Sequence, residues 1–145
     1  MSTNRRFIPA EPETVWRVLA DPDSYAYWVV GSKRIRKADA NWPAPGSRFH
    51  HTVGVGPLTV DDHTESLAAD RPRRLVLRAN ARPLGVAKVE IELEPEPGGT
   101  CVTLTENPTG VQAPLAYFPP LQLLTWVRNA ESLARIEDLA LATGA

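Results

Sequence analysis

The stretch AKVEIELEPEPGGTCVTLTE, residues 87–106, decides the fold. Its first half alternates without a break, Val89, Ile91 and Leu93 to one side and Lys88, Glu90, Glu92 and Glu94 to the other. A period of two describes a strand with one buried and one wetted face, the pattern of an antiparallel sheet. The segment EPEPGG then reverses the chain, and Val102 and Leu104 resume the alternation. Folding the two halves together pairs Leu93 with Val102 and Ile91 with Leu104. That register carries Glu106 to the inner face beside Val89. A carboxylate among apolar side chains needs a partner there, a histidine, an arginine or the adjoining loop, or else serves as an acid or acceptor toward a ligand.

The same pattern extends upstream. Strands are expected near residues 32–39, 47–54, 58–68, 73–81, 85–94 and 100–107, broken by turn-forming clusters such as NWPAPG, ADRP and RPLG. A short strand at 4–9 precedes them and stops at Pro9. In PETVWRVLADPDSY, Pro12 suits a first helical position and Val15, Val18 and Leu19 share one face. Asp21 before Pro22 ends that helix and can cap a second short one containing Tyr25, Tyr27 and Trp28. The chain closes with a helix from Pro119 or Pro120 to Leu141. Arg128, Glu131, Arg135 and Asp138 form its polar stripe, and Leu123, Trp126, Ala130, Leu133 and Ala140 the face expected to be buried. The order predicts an α+β fold: a curved antiparallel sheet of about seven strands wrapped around a long C-terminal helix, with two short helices after the first strand.

A chain of 145 residues without repeats or a flexible linker is read as a single domain, 1–145. The net charge of −1 gives no electrostatic reason to expect a nucleic-acid or anionic-membrane partner. Arg71, Arg73, Arg74, Arg78 and Arg82 read as a solvated cluster at strand ends. The one cysteine, Cys101, excludes an intrachain disulfide and suits a reducing compartment. Arg5-Arg6 is followed by no apolar signal region, and no apolar run has the length of a membrane helix. A cytoplasmic protein, monomer or homodimer, is expected.

Three segments, IPAEPETVWRVLADPDSYAYW, WPAPGS and GGTCVTLTE, resemble the START-like (SRPBCC, helix-grip) superfamily, and within it the polyketide cyclase/dehydrase-like proteins. The similarity runs from about residue 5 to 142. It implies a sheet gripping the C-terminal helix with a hydrophobic cavity between them, and ligand-binding, lipid-binding or cyclase roles.

All three histidines lie in GSRFHHTVGVGPLTVDDH, residues 46–63. Pairing Val53 with Leu58 puts Phe49, His51, Val53, Leu58, Val60, Asp62, Thr64 and Ser66 on the inner face. His50 then opposes Asp61 on the outer face, with His63 nearby. This scatters the ligands a metal would need, so no metal and no cofactor is expected. His51, diagonal to Asp62, is either a satisfied internal hydrogen-bonding group or a base oriented by Asp62.

The leading expectation is a binder of a small hydrophobic or aromatic molecule, polyketide- or lipid-like. Tyr25, Trp28, Phe49, Val60, Leu77, Val89, Ile91, Phe118, Trp126 and Leu133 would line its cavity. The second is a polyketide cyclase/dehydratase-type enzyme with His51, Asp62 and Glu106 as its catalytic groups. A protein-interaction or co-chaperone module using the sheet's outer face ranks last, because that face is charged. The segment NPTGVQAPLAYFPP, with Gly110, Tyr117 and Phe118, has the length of a lid.

Overall fold

The computed structural model describes residues 1–55, 57–81, 85–109 and 119–143. Seven strands are present: β1 (Ser2–Ile8), β2 (Ser32–Ala38), β3 (Arg48–Val55), β4 (Leu58–Asp70), β5 (Arg74–Ala81), β6 (Gly85–Glu96) and β7 (Gly99–Thr109). They form one antiparallel sheet in the order β1-β7-β6-β5-β4-β3-β2. Between β1 and β2 lie α1 (Pro12–Leu19) and, after a short 3-10 turn at Pro22–Ser24, α2 (Tyr25–Trp28). The long helix α3 spans Pro119–Thr143. The expected α+β helix-grip architecture is the observed one.

Local chemistry accounts for the elements. Pro12 opens α1, and the Asp21 carboxylate accepts the Asp23 backbone N–H to start the 3-10 turn. The β6–β7 turn takes Gly98 at φ +82°, a conformation that glycine adopts without a Cβ penalty. At Gly99 a Cβ would lie 2.2 Å from the Ile8 carbonyl oxygen, so only glycine lets β1 approach there. The β6–β7 register is the expected one, with Leu93 opposite Val102, Ile91 opposite Leu104 and Val89 opposite Glu106.

The β3–β4 hairpin differs. Val53 pairs with Val60, not Leu58, because Gly54–Thr59 and Val55–Leu58 add two further pairs before the turn. A slip of two residues preserves the faces, so Phe49 and His51 still point inward. It does change the neighbours: His50 opposes His63, and Asp61 accepts a 2.7 Å hydrogen bond from the Thr52 hydroxyl. The expected His50–Asp61 pair is not formed. Three members of the basic cluster are salt-bridged at the surface, Arg71 to Glu13, Arg74 to Glu90 and Arg78 to Glu65, and Arg82 lies outside the described residues.

The core gathers Ile8, Val15, Trp16, Leu19, Tyr25, Trp28, Trp42, Phe49, the inward residues of β5–β7, and Leu133, Ile136 and Ala140 of α3. One atom joins three of these segments. The Leu19 carbonyl accepts both the Tyr25 hydroxyl at 2.8 Å and the Trp42 indole N–H at 3.1 Å.

The long helix corrects the expected buried face. Leu133 and Ala140 are buried, but Leu123 is 64% and Trp126 50% exposed. The stripe that packs is Asn129, Ser132, Leu133, Ile136 and Ala140, spaced at i, i+3, i+4, i+7 and i+11. Two of its members are polar, which hid it from a reading of apolar residues alone. Trp126 stands within about 20° of Leu133 around the axis. It lies on the half of α3 that runs beside the sheet edge, where Ser2 and Asn4 of β1 bond Gln122 and the Trp126 carbonyl.

This division sets a stability contrast. Ile136→Ala should cost about 2–5 kcal/mol in urea unfolding. Leu123→Ala should stay within about 0.5 kcal/mol. Equal losses would place both side chains in the same environment.

Candidate functional site

The inner faces of β3 and β4 hold an unusual amount of polarity for a core wall. His51, Asp62, Thr64 and Ser66 are all buried, His51 directly opposite Asp62 and Phe49 opposite Thr64. The His51 Nε2 lies 3.0 Å from the Thr64 hydroxyl, while its Nδ1 is buried without a hydrogen-bond partner. Burial lowers the His51 pKa below its ordinary value, and the neighbouring His63 carbonyl and Asp62 carboxylate only partly oppose this. The ring is therefore neutral at pH 7. If Nε2–H donates to Thr64, Nδ1 carries a free lone pair.

Asp62 sits closer to His63 than the expected diagonal implied. Its Oδ1 accepts the His63 backbone N–H at 2.9 Å and lies 3.4 Å from the His63 Nδ1. The ring contact at His51 Nε2 comes from Thr64, a residue the sequence reading placed on this face but gave no role. The expected register set Thr64 four residues beyond the partner of His51, and the two-residue shift brings them together.

An aromatic wall continues from His51. Ring centroids are 5.5 Å apart for His51–Phe49, 4.7 Å for Phe49–Tyr25 and 4.5 Å for Tyr25–Trp28, and Trp42 packs edge-on to both Tyr25 and Phe49. Tyr25 and Trp28 belong to the interior, not to an open mouth, because the Tyr25 hydroxyl finds its acceptor at Leu19. Burial raises the Tyr25 pKa well above the ordinary phenol range. At the far end, the Trp28 indole N–H is buried without an acceptor. The wall thus carries an unpartnered polar atom at each end. Tyr27, by contrast, is exposed and bonds Asp138.

Glu106 adopts the arginine partnership. Arg128 Nη2 reaches both carboxylate oxygens at 2.6 Å, and Asn129 Nδ2 donates to Oε1 at 3.3 Å. These contacts tie β7 to α3 and hold the charge away from His51's neighbours on β3 and β4. Of the apolar candidates, Leu77, Ile91 and Leu133 are fully inside, and Val60 and Val89 are partly buried. Phe118 and the rest of the expected lid, residues 110–118, lie outside the described residues.

A groove of about 490 Å³ opens elsewhere, lined by Thr3, Asn4, Arg5 and Arg6 of β1 and Trp126, Ala130 and Leu133 of α3. It shares only Trp126 and Leu133 with the expected lining. Among the described residues no group of three or more metal-ligating side chains occurs, and no helix is long and apolar enough to cross a membrane.

Comparison with solved structures places this architecture among known ones. The protein TTHA0849 from Thermus thermophilus superposes with a TM-score of 0.72 at 22% identity, covering 99% of each chain. Protein NE0264 from Nitrosomonas europaea gives 0.71 at 20% identity, covering 97% of this chain and 94% of its own. The di-domain ARO/CYC StfQ from the steffimycin biosynthetic pathway gives 0.74 at 10% identity, with 98% of this chain matched to 50% of StfQ. At these identities the likeness is one of fold. None of the curated proteins compared with it matches this sequence. The family model for polyketide cyclase / dehydrase and lipid transport matches residues 2–135, nearly the whole chain, and the protein therefore belongs to that family.

Proposed function

We propose that this protein binds a small hydrophobic or aromatic molecule, polyketide- or lipid-like, against the aromatic wall between the sheet and α3. The observation that carries the reading is the pair of buried, unpartnered atoms, Trp28 Nε1 and His51 Nδ1, at the ends of that wall. Buried polar groups are nearly always paired, and a ligand with oxygen functions on an apolar frame would pair both. Tyr25, Phe49, Leu77, Ile91 and Leu133 would supply its apolar contact, with Val60 and Val89 at the margin. Family membership supports a ligand-binding or cyclase role.

A second reading is favoured by the lowered pKa of His51. A neutral imidazole with a free Nδ1 would remove a proton from an acidic CH₂ of a poly-β-ketone; the enolate carbon of the folded chain then bonds to a carbonyl carbon, and the resulting alkoxide takes the proton back from the imidazolium. In that case His51 is the general base, Thr64 positions it through Nε2, and the Arg128-bound Glu106 fixes the helix rather than acting as an acid. The aromatase/cyclase assignment of StfQ, a fold neighbour, adds weight to this chemistry. The expected cytoplasmic location and the monomer or homodimer state remain part of the proposal.

Native mass spectrometry of freshly purified protein, followed by denaturing extraction, tests the first reading. It should release an apolar molecule carrying at least two oxygen functions. Release of a purely hydrocarbon species, or retention that is unchanged by Trp28→Phe, would count against it. For the second reading, His51→Gln should retain binding of a poly-β-ketone probe while turnover falls about 10²-fold or more. Parallel loss of both would make His51 a binding residue.

The histidine also predicts a pH dependence. Its folded pKa lies below the unfolded value of about 6.5, so the unfolded state binds more protons in the window between them. Stability is full above that unfolded value and falls as pH drops through the lowered folded pKa. Urea unfolding from pH 7.5 to 5 should show this slope, reduced in His51→Gln. An NMR midpoint for the His51 ring at or above about 6.5 would contradict it.

A further inference from the structure

We propose that the groove between β1 and α3 is a docking site for an extended, acidic peptide segment, which adds to the sheet beside β1. Four consecutive residues of one strand, Thr3 to Arg6, line this groove. Successive side chains point to opposite faces, so a groove that touches all four takes part of its lining from the strand's backbone, and it opens at the end of the sheet where the inward Asn4 side chain reaches α3. Strand β7 occupies one edge of β1, and in the strand order β1 ends the sheet. The groove therefore follows the edge where, among the described residues, alternate backbone N–H and C=O groups have no ladder partner.

The opposite wall of the groove is helical. Trp126, Ala130 and Leu133 face it at i, i+4 and i+7, and Trp126 is half exposed. Contacts from Ser2 to Gln122 and from Asn4 to the Trp126 carbonyl keep this half of α3 alongside the strand. Between these two contacts the strand advances two residues, about 6.6 Å, and the helix four, about 6 Å, so this stretch of the two elements runs in step. A free strand edge facing a parallel helix is the geometry that receives an extended chain. The edge supplies main-chain bonds, and the apolar helix face takes alternate side chains.

Charge selects the occupant. Arg5 is exposed, and among the described residues it has no carboxylate partner, whereas Arg6 is engaged by Glu137 at 3.1 Å. A second copy pairing β1 with β1 would bring these arginines together, which is unfavourable for directly opposed like charges. An incoming strand with an acidic residue opposite Arg5 and a β-branched or aromatic residue against Trp126 meets both walls. This site contains none of the aromatic wall and shares only Leu133 with the contacts proposed for the ligand, so binding at β1 and Arg5 does not depend on that ligand.

The test is selection of a random heptapeptide display library on the intact protein, followed by titration of the enriched peptide into ¹⁵N-labelled protein. Expected is enrichment of acidic peptides with β-branched or aromatic residues and amide shifts centred on Thr3–Phe7. Affinity should fall about tenfold in Arg5→Glu and persist in Arg5→Lys. Arg5 is a surface residue, so both variants should fold. The proposal is overturned by a selection that enriches nothing, by binding indifferent to Arg5→Glu, by shifts away from β1, or by a β1-mediated homodimer.

Discussion

The alternation of side chains along an antiparallel strand is the constraint on which the rest of this molecule depends. Each inward residue of β3 to β7 must meet something across the interior, and the short helices with the second half of α3 are what cover it. Where those inward positions are Leu75, Leu77, Ile91, Leu93, Val102 and Leu104, the covering is ordinary apolar packing. Where they are His51, Asp62, Thr64 and Ser66, the same parity turns polar groups into the buried interior. There the protein accepts a partly unsatisfied wall. Such local inconsistency is the usual mark of a site shaped by something other than stability.

The two ends of the sheet are finished differently. At β7, Glu106 is drawn to α3 by a two-oxygen contact with Arg128, so a charge that would be costly inside becomes a tie between layers. At β1 the helix extends beyond the packed region and leaves apolar side chains beside a strand edge that pairs with no other described strand. One helix thus serves two surroundings: its second half closes the interior, and its first half borders a groove.

Much of this was legible in the sequence where two signals coincided. The β6–β7 register followed from the alternation of Val89, Ile91 and Leu93 together with a Pro-Gly-Gly turn, each constraining the other. The β3–β4 hairpin had weaker punctuation, and its turn was placed two residues too wide. Its faces survived because the error was even. The stripe on α3 was less readable. Leu121, Leu123, Leu124, Trp126 and Val127 lie all around the first turns, so periodicity could not choose a face. Asn129 and Ser132 disguised the face that does pack, since their burial depends on partners from distant segments, Glu106 and the Val30 N–H. The Thr64 contact to His51 was lost with the two-residue slip, which set Thr64 four residues beyond the partner of His51, and the orphaned Trp28 nitrogen depends on three-dimensional packing alone.

The shared acceptor at Leu19 bears on how sequences of this kind can vary. Tyr25 and Trp42 reach the same carbonyl from different distances along the chain, one six residues later and the other twenty-three. A carbonyl oxygen has two lone pairs, so this one is fully used. The connection holding Trp42, residues 39–47, is pinned again where Gly46 N–H bonds the Ser66 carbonyl and the Ser66 hydroxyl bonds the Pro43 carbonyl. Surface connections ordinarily tolerate added residues. Here an insertion between Trp42 and Gly46 would have to break one anchor to satisfy the other. Length variation in related chains should therefore collect at other turns, and this connection should keep its residue count even where its residues change.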